Sequence, residues 1–274
     1  MNVTLNRTGV HAVALGAALL LAPNAGIGAQ QDDREFRWNG AVASGQWVTV
    51  RNLNGEIRVG RSAGNEVEIV ARKRTRDGDL SAVRMEVKKA SNGGLLVCAL
   101  WEGGVCEEGE YRGRRSGDGW WGRDDRRNNV SVEITVRVPQ GIKLDVATTN
   151  GELEIDGATA EVRARTVNGG IDARSLGGPV TARTTNGGIS VRMGDAGSQD
   201  LSYHTTNGSI EIELPASFDA DVEMRTTNGA IETDFPMTVQ GRFSPRRLEA
   251  RIGNGGRRLE ARTTNGSITL RKRA

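Results

Sequence analysis

From residue 144 to residue 270, apolar side chains fall on every second position on both sides of a recurring Asn-Gly pair. Six residues before each Asn stand Leu144, Val162, Val180, Leu201, Val222 and Leu259; four before it stand Val146, Ala164, Ala182, Tyr203, Met224 and Ala261. Three after it come Leu153, Ile171, Ile189, Ile210, Ile231 and Ile268; five after it come Ile155, Ala173, Val191, Ile212, Thr233 and Leu270. Alternation with period two marks a half-buried strand, so each unit predicts a strand, a tight turn and a second strand. The segment VTVRNLNGEIRV falls in the same frame around Asn54.

The turns are at Asn54, Asn150, Asn168, Asn186, Asn207, Asn228 and Asn265, and the four intervals from Asn150 to Asn228 are 18, 18, 21 and 21 residues. Such a short repeat marks a chain built by stacking one supersecondary unit. An Asn-Gly pair accepts positive φ at both positions, which suits a sharp change of direction. Two architectures use it: hairpins forming an antiparallel sandwich, or coils of a solenoid whose equivalent strands stack in parallel about 4.8 Å apart. Each column keeps its chemistry through consecutive units, which favours direct stacking. The expected fold is therefore all-β: a single-domain β-solenoid, β-roll or β-helix-like, of 18–21 residue coils, with the antiparallel hairpin sandwich as the alternative. The threonines at 148, 166, 184, 205, 226 and 263 then predict a hydroxyl ladder, and the asparagines an amide ladder.

Residues 1–29 have the layout of a secretory signal peptide, with Arg7 before an apolar core and small residues before Gln30. Residues 30–140 read as the N-terminal β region of the solenoid with an inserted loop at 107–129, and residues 141–274 as the regular stack. No later stretch reaches about 18 apolar residues, so no transmembrane segment is expected after cleavage. The chain is expected to be exported, to the periplasm or the cell surface. Its 37 basic and 34 acidic residues nearly balance, which argues against a dedicated nucleic-acid partner. Cys98 and Cys106 flank a turn-like stretch, and in an oxidising compartment a disulfide closing it is expected. A zinc site needs about four ligands, and with only two cysteines and two histidines neither a metal nor another cofactor is expected.

The unit VRNLNGEIRVG, the segment VSVEITVRVPQGIKLDVATTNGELEIDG, the repeats GGPVTARTTNGGISV and ADVEMRTTNGAIET, and the closing ARIGNGGRRLEARTTNGSITLRK together resemble the bacterial putative-adhesin family with β-strand repeats, long catalogued as a domain of unknown function. The resemblance spans Phe36 to Lys272. It implies a solenoid-like envelope protein without known catalysis, associated with adhesion and envelope-stress responses, and it brings no defined site residues.

Two features rise above scaffold. Three residues before the Asn, on the outward face, stand Arg51, Arg165, Arg183, His204, Arg225 and Arg262, with Ala147 as the exception. Four after it stand Glu154, Asp172, Ser190, Glu211, Glu232 and Thr269, so that pairs such as Arg165 with Asp172 or Arg225 with Glu232 would neutralise the ladder as solvated decoration. Otherwise the basic column binds an anionic polymer. The insertion EYRGRRSGDGWWGRDDRRNN supplies Trp120 and Trp121, which suit stacking on sugars, a membrane surface, or a cap over the solenoid end.

Catalytic motifs of nucleophile-elbow, phosphate-loop, dinucleotide or zinc-helix type do not occur, and after signal removal His204 is the only histidine. The functional expectation is a noncatalytic adhesin or envelope-interaction protein whose partner is an envelope component, an anionic polysaccharide or an envelope protein. The alternatives are an extracytoplasmic polysaccharide lyase and an envelope-stress sensor acting through a protein partner.

Overall fold

The computed structural model describes residues 30–31, 33–113, 129–239 and 244–273. The signal-peptide segment, Trp120 and Trp121 lie outside the described residues.

The first ten strands are β1 (Gln30–Gln31), β2 (Glu35–Gly40), β3 (Trp47–Arg51), β4 (Ile57–Arg61), β5 (Val67–Arg74), β6 (Val83–Lys89), β7 (Leu95–Trp101), β8 (Val105–Glu107), β9 (Glu110–Arg112) and β10 (Ser131–Val138). The repeats follow as β11 (Lys143–Ala147), β12 (Leu153–Ala158), β13 (Val162–Arg165), β14 (Ile171–Ser175), β15 (Val180–Arg183), β16 (Ile189–Met193), β17 (Leu201–His204) and β18 (Ile210–Pro215). The chain closes with β19 (Ala220–Arg225), β20 (Ile231–Thr233), β21 (Met237–Val239), β22 (Arg247–Ile252), β23 (Arg258–Arg262) and β24 (Ile268–Arg273).

The two strands of a repeat never pair with each other. They belong to two facing eleven-stranded sheets, ordered β1-β2-β5-β10-β4-β12-β14-β16-β18-β24-β20 and β21-β22-β19-β23-β17-β15-β13-β11-β3-β7-β6. From coil to coil the repeat strands pair in parallel, for example Val162 with Val180 and Ile171 with Ile189, with a register shift in β12 against β14 between Asp156 and Ala158. This is the solenoid and not the hairpin sandwich. Antiparallel strands occupy sheet ends, as in β2 with β5 and β19 with β22, where a stack needs capping elements.

The inner residues of both sheets form one continuous core. A second cluster lies outside it. Every residue of β7 is buried, because the β8–β9 hairpin covers its outer side. Leu96, Cys98, Leu100 and Cys106 pack there with Tyr111, whose hydroxyl donates to Ala99 O at 2.8 Å. The Cys98–Cys106 disulfide is formed. This hairpin takes up the first part of the segment read as an inserted loop.

The Asn-Gly turns differ from the expectation in one respect: no described residue other than glycine has positive φ. Each Asn instead forms a parallel bridge with the Asn of the next coil. The chain passes from one sheet to the other at a corner and does not reverse within a hairpin, so positive φ at Asn is not required. Glycine follows because coils stack backbone to backbone there; a Cβ on Gly187 would lie 2.0 Å from the Gly169 carbonyl oxygen.

The side chains at the corner bind coil to coil. Asn168 Nδ2 donates to Asn150 Oδ1, and Asn186 Nδ2 to Asn168 Oδ1, both at 2.8 Å. The buried threonines do not bond one another. Each donates to a glycine carbonyl of the neighbouring coil, as Thr184 Oγ1 does to Gly169 O at 2.9 Å. In the first coil buried Asn52 takes the threonine position and donates to Gly55 O and Val132 O.

The stacking order departs from chain order. The corner bridges run Asn54, Asn150, Asn168, Asn186, Asn207, Asn265, Asn228, so the last coil, β23 and β24, is inserted between the coils of Asn207 and Asn228. The Asn254-Gly255 segment links β22 to β23, which flank β19 on its two sides. The insertion also separates two large side chains. Across the second sheet the inner column reads Ala182, Tyr203, Ala261, Met224. Chain order would have put Met224 against fully buried Tyr203, and the inserted alanine avoids two large side chains about 4.8 Å apart.

Candidate functional site

Residues three before the Asn point outward from the second sheet, because strand parity puts them opposite the buried residues on either side. In stacking order they run Arg51, Ala147, Arg165, Arg183, His204, Arg262 and Arg225, and the antiparallel pairing of β19 with β22 adds Arg247. The expected column is thus one physical row, with Arg262 between His204 and Arg225.

The acidic column four residues after the Asn lies on the first sheet, across the corner. Arg165 and Arg225 therefore do not pair with Asp172 and Glu232. Their carboxylate partners stand five residues before the Asn, on their own sheet. Arg51 Nη2 lies 2.9 Å from Asp145 Oδ2 and its Nη1 3.1 Å from Oδ1, a two-pronged contact. Arg165 reaches the same carboxylate at 3.4 Å. Glu223 meets Arg225 at 2.9 Å, Arg258 at 2.5 Å and Arg262 at 3.0 Å. Burial alone would raise the Glu223 pKa, but the hydrogen bond from Arg258 and the charges of Arg225, Arg262 and Arg258 outweigh it and hold the carboxyl below its usual range. This acidic row was missed in the sequence although Asp145, Glu260 and Glu223 share one repeat position; Glu249 joins it from antiparallel β22.

The acidic row has a gap. Beside Arg183 it offers Thr181 and Ser202, and the Arg183 side chain has no ion pair or hydrogen bond among the described residues. The same holds for Arg246. Between them opens a groove of 620 Å³, lined by Arg183, His204, Arg262, Arg225, Arg246 and Arg247 together with threonine hydroxyls. Exposed Thr185, Thr206 and Thr264 stand beside the cations. The groove offers charge and hydrogen-bond donors on an open face, the chemistry that holds carboxylate, sulfate or phosphate groups.

His204 also lies near Ser202 and Glu260, at 3.5 Å from Ser202 Oγ through Nδ1 and 3.3 Å from Glu260 Oε1 through Nε2. Both contacts are longer than general-base catalysis uses, about 2.6–3.2 Å.

A second cleft lies between the β8–β9 hairpin and the same sheet face. Its floor holds Trp47, Arg51, Asp145 and Arg163, and its rim Glu107, Glu108 and Glu110. The Arg163 guanidinium sits 4.3 Å from the Trp47 ring centre. Trp47 was not singled out in the sequence; its outward parity, seven residues before Asn54, was the available signal. Among the described residues no group of His, Cys, Asp and Glu side chains is arranged to hold a metal ion, and no helix is long and apolar enough to cross a membrane.

No curated protein matches the chain. Among solved structures it is similar to a putative cell adhesion protein from Clostridium sporogenes, at 11% identity over 88% of this chain and 100% of that one, with a TM-score of 0.46. It is also similar to a putative adhesin from Bacteroides fragilis, at 11% identity over 90% and 100% of the two chains with a TM-score of 0.32, and to one from Parabacteroides distasonis, at 10% identity over 88% and 98% with a TM-score of 0.29. The Toastrack DUF4097 family model matches residues 46–271, which include every corner of the asparagine ladder from Asn54 to Asn265, and the chain belongs to the Toastrack family.

Proposed function

We propose that this is an exported, noncatalytic cell-envelope interaction protein of adhesin type, which holds a linear anionic polymer along the cationic groove of the second sheet. The observation that carries this reading is the groove itself: Arg183 and Arg246 without carboxylate partners among the described residues, His204, Arg262, Arg225 and Arg247 between them, and hydroxyl donors alongside. Cations at strand spacing, about 4.8 Å apart, suit a chain bearing a negative group on each sugar-sized repeat. The disulfide supports an oxidising, extracytoplasmic setting. Trp120 and Trp121 remain candidate stacking residues. The long contacts of His204 favour binding over a lyase or hydrolase activity.

The test is sedimentation of the purified protein with an acidic polysaccharide across a salt series, beside an Arg183→Ser, Arg246→Ser double variant. Neither arginine side chain has a partner among the described residues, so the variant is expected to fold. Salt-sensitive binding that the variant loses supports the reading. Binding of equal strength in the variant, or accumulation of ultraviolet-absorbing cleavage products, overturns it.

A further inference from the structure

The corner ladder has a direction. Each asparagine side-chain amide donates toward the Asn54 end, and each following glycine N–H donates the opposite way, to the Asn carbonyl of the next coil. Gly55 N–H bonds Asn150 O at 2.7 Å; Gly151 bonds Asn168, Gly169 bonds Asn186, Gly187 bonds Asn207, Gly208 bonds Asn265 and Gly266 bonds Asn228, all at 2.8 or 2.9 Å. At Asn228 the series ends. Among the described residues Gly229 N–H has no acceptor and Asn228 Oδ1 receives no donor. Gly229 is also the only exposed glycine of the seven corners; the other six are half-buried.

We propose that Asn228 is a site of spontaneous deamidation, and that its six ladder counterparts are protected by the stack. The Gly229 N–H, once it gives its proton to hydroxide, attacks the Asn228 side-chain carbonyl carbon. Ammonia leaves and a five-membered succinimide forms. Water then opens either carbonyl, giving aspartate or isoaspartate, so the sum is one water consumed and one ammonia released. The reaction needs a glycine nitrogen free to lose its proton and an asparagine side chain free to turn. At an inner corner the nitrogen is held by the next coil, and both ends of the side-chain amide are engaged, as in Asn186, which donates to Asn168 and accepts from Asn207. At Asn228 a single side-chain hydrogen bond remains, the one given to Asn265 at 2.8 Å. The Asn54 end differs: its glycine nitrogen is bonded, so position at an end of the stack does not by itself expose a corner. All seven corners share the Asn-Gly dipeptide, so local sequence does not separate them.

The purified protein is aged at mildly alkaline pH, and deamidation at every Asn-Gly pair is followed by peptide mapping with isoaspartate-sensitive separation. A parallel sample is aged in denaturant. Asn228 is expected to react on the order of tenfold faster than Asn54, Asn150, Asn168, Asn186, Asn207 and Asn265 in the folded protein, since its glycine nitrogen is released without local opening. The difference is expected to vanish in denaturant. Equal rates at Asn228 and the inner corners in the folded protein, or a preference for Asn228 that persists in denaturant, overturn the proposal. No ligand is added, so the outcome is independent of the groove's role.

Discussion

The Asn228 side chain hydrogen-bonds that of Asn265 at 2.8 Å across 37 residues of sequence, while Asn207, the corner before it in the chain, bonds Asn265 from the other side. The final coil is therefore a wedge between two earlier ones.

Cysteine pairs report that order directly. Thr206 and Thr264 occupy equivalent exposed positions of adjacent coils, whereas a full coil separates Thr206 from Thr227. With strands about 4.8 Å apart, Thr206→Cys with Thr264→Cys falls in the range for a disulfide, and Thr206→Cys with Thr227→Cys is about twice that distance. Oxidation is expected to cross-link the first pair and not the second, as read by diagonal electrophoresis. The reverse result restores chain-order stacking.

Ala261 separates Tyr203 from Met224 in the core column. Ala261→Met puts three large side chains in a row and is expected to destabilise by about 1–3 kcal/mol through overpacking. The same change at Ala99 in β7 would not report on the wedge. Urea unfolding gives the cost, and an unchanged midpoint argues against the size explanation.

The corner is held by buried hydroxyls and by close backbone approach. Thr184→Val removes the donor to the Gly169 carbonyl and is expected to cost about 1–2 kcal/mol. Gly187→Ala drives a methyl group onto that same carbonyl oxygen and is expected to cost more, several kcal/mol by the scale of severe core defects. Calorimetry that ranks the threonine change as the costlier one contradicts this account of the corner.

Glu223 gathers three arginines, and its folded-state pKa lies below the usual carboxylate range. A lowered pKa means that its contribution to stability is complete above the unfolded value, about 4.3, and is lost as the pH falls through the folded value. Stability is expected to decline below about pH 4.3, and Glu223→Gln is expected to flatten part of that decline. The same variant takes one carboxylate away from Arg225, Arg258 and Arg262, which keep Glu249 and Glu260 as partners, so the face gains net positive charge and should bind acidic polysaccharide more tightly at neutral pH. Weaker binding by the folded variant would place the polymer elsewhere.

Reduction of Cys98–Cys106 releases the hairpin that covers Leu96 and Leu100. Loss of the cross-link is expected to cost about 2 kcal/mol, near the low end for native disulfides because the loop is short. Hydrogen exchange should rise in β8 and β9 and remain slow in the repeat coils. Uniform acceleration throughout the stack would show that the second cluster supports the first.

Much of this fold is legible in the residues. Alternation around each Asn-Gly pair, as in Val162, Ala164, Ile171 and Ala173, fixes strand positions, inward faces and register, because strand periodicity is a local property of the backbone. Repetition of Thr, Asn and Gly at the corner identifies which groups meet on stacking, and the basic row follows from parity alone. The order of the last two coils is not local. It places Ala261 and not Met224 against Tyr203, a choice between segments with the same corner chemistry. The partners of the arginines are likewise tertiary: sequence distance makes Asp172 and Glu232 look near Arg165 and Arg225, but the corner sends them to the opposite face, and the carboxylates of Asp145 and Glu223 are brought in by neighbouring strands. The sequence alone determined what each coil is, because each coil repeats one local pattern. The tertiary structure decided which coil lies beside which, because core side-chain volume and ion pairs between strands, such as Glu223 with Arg258 and Arg262, arise only once the coils are stacked.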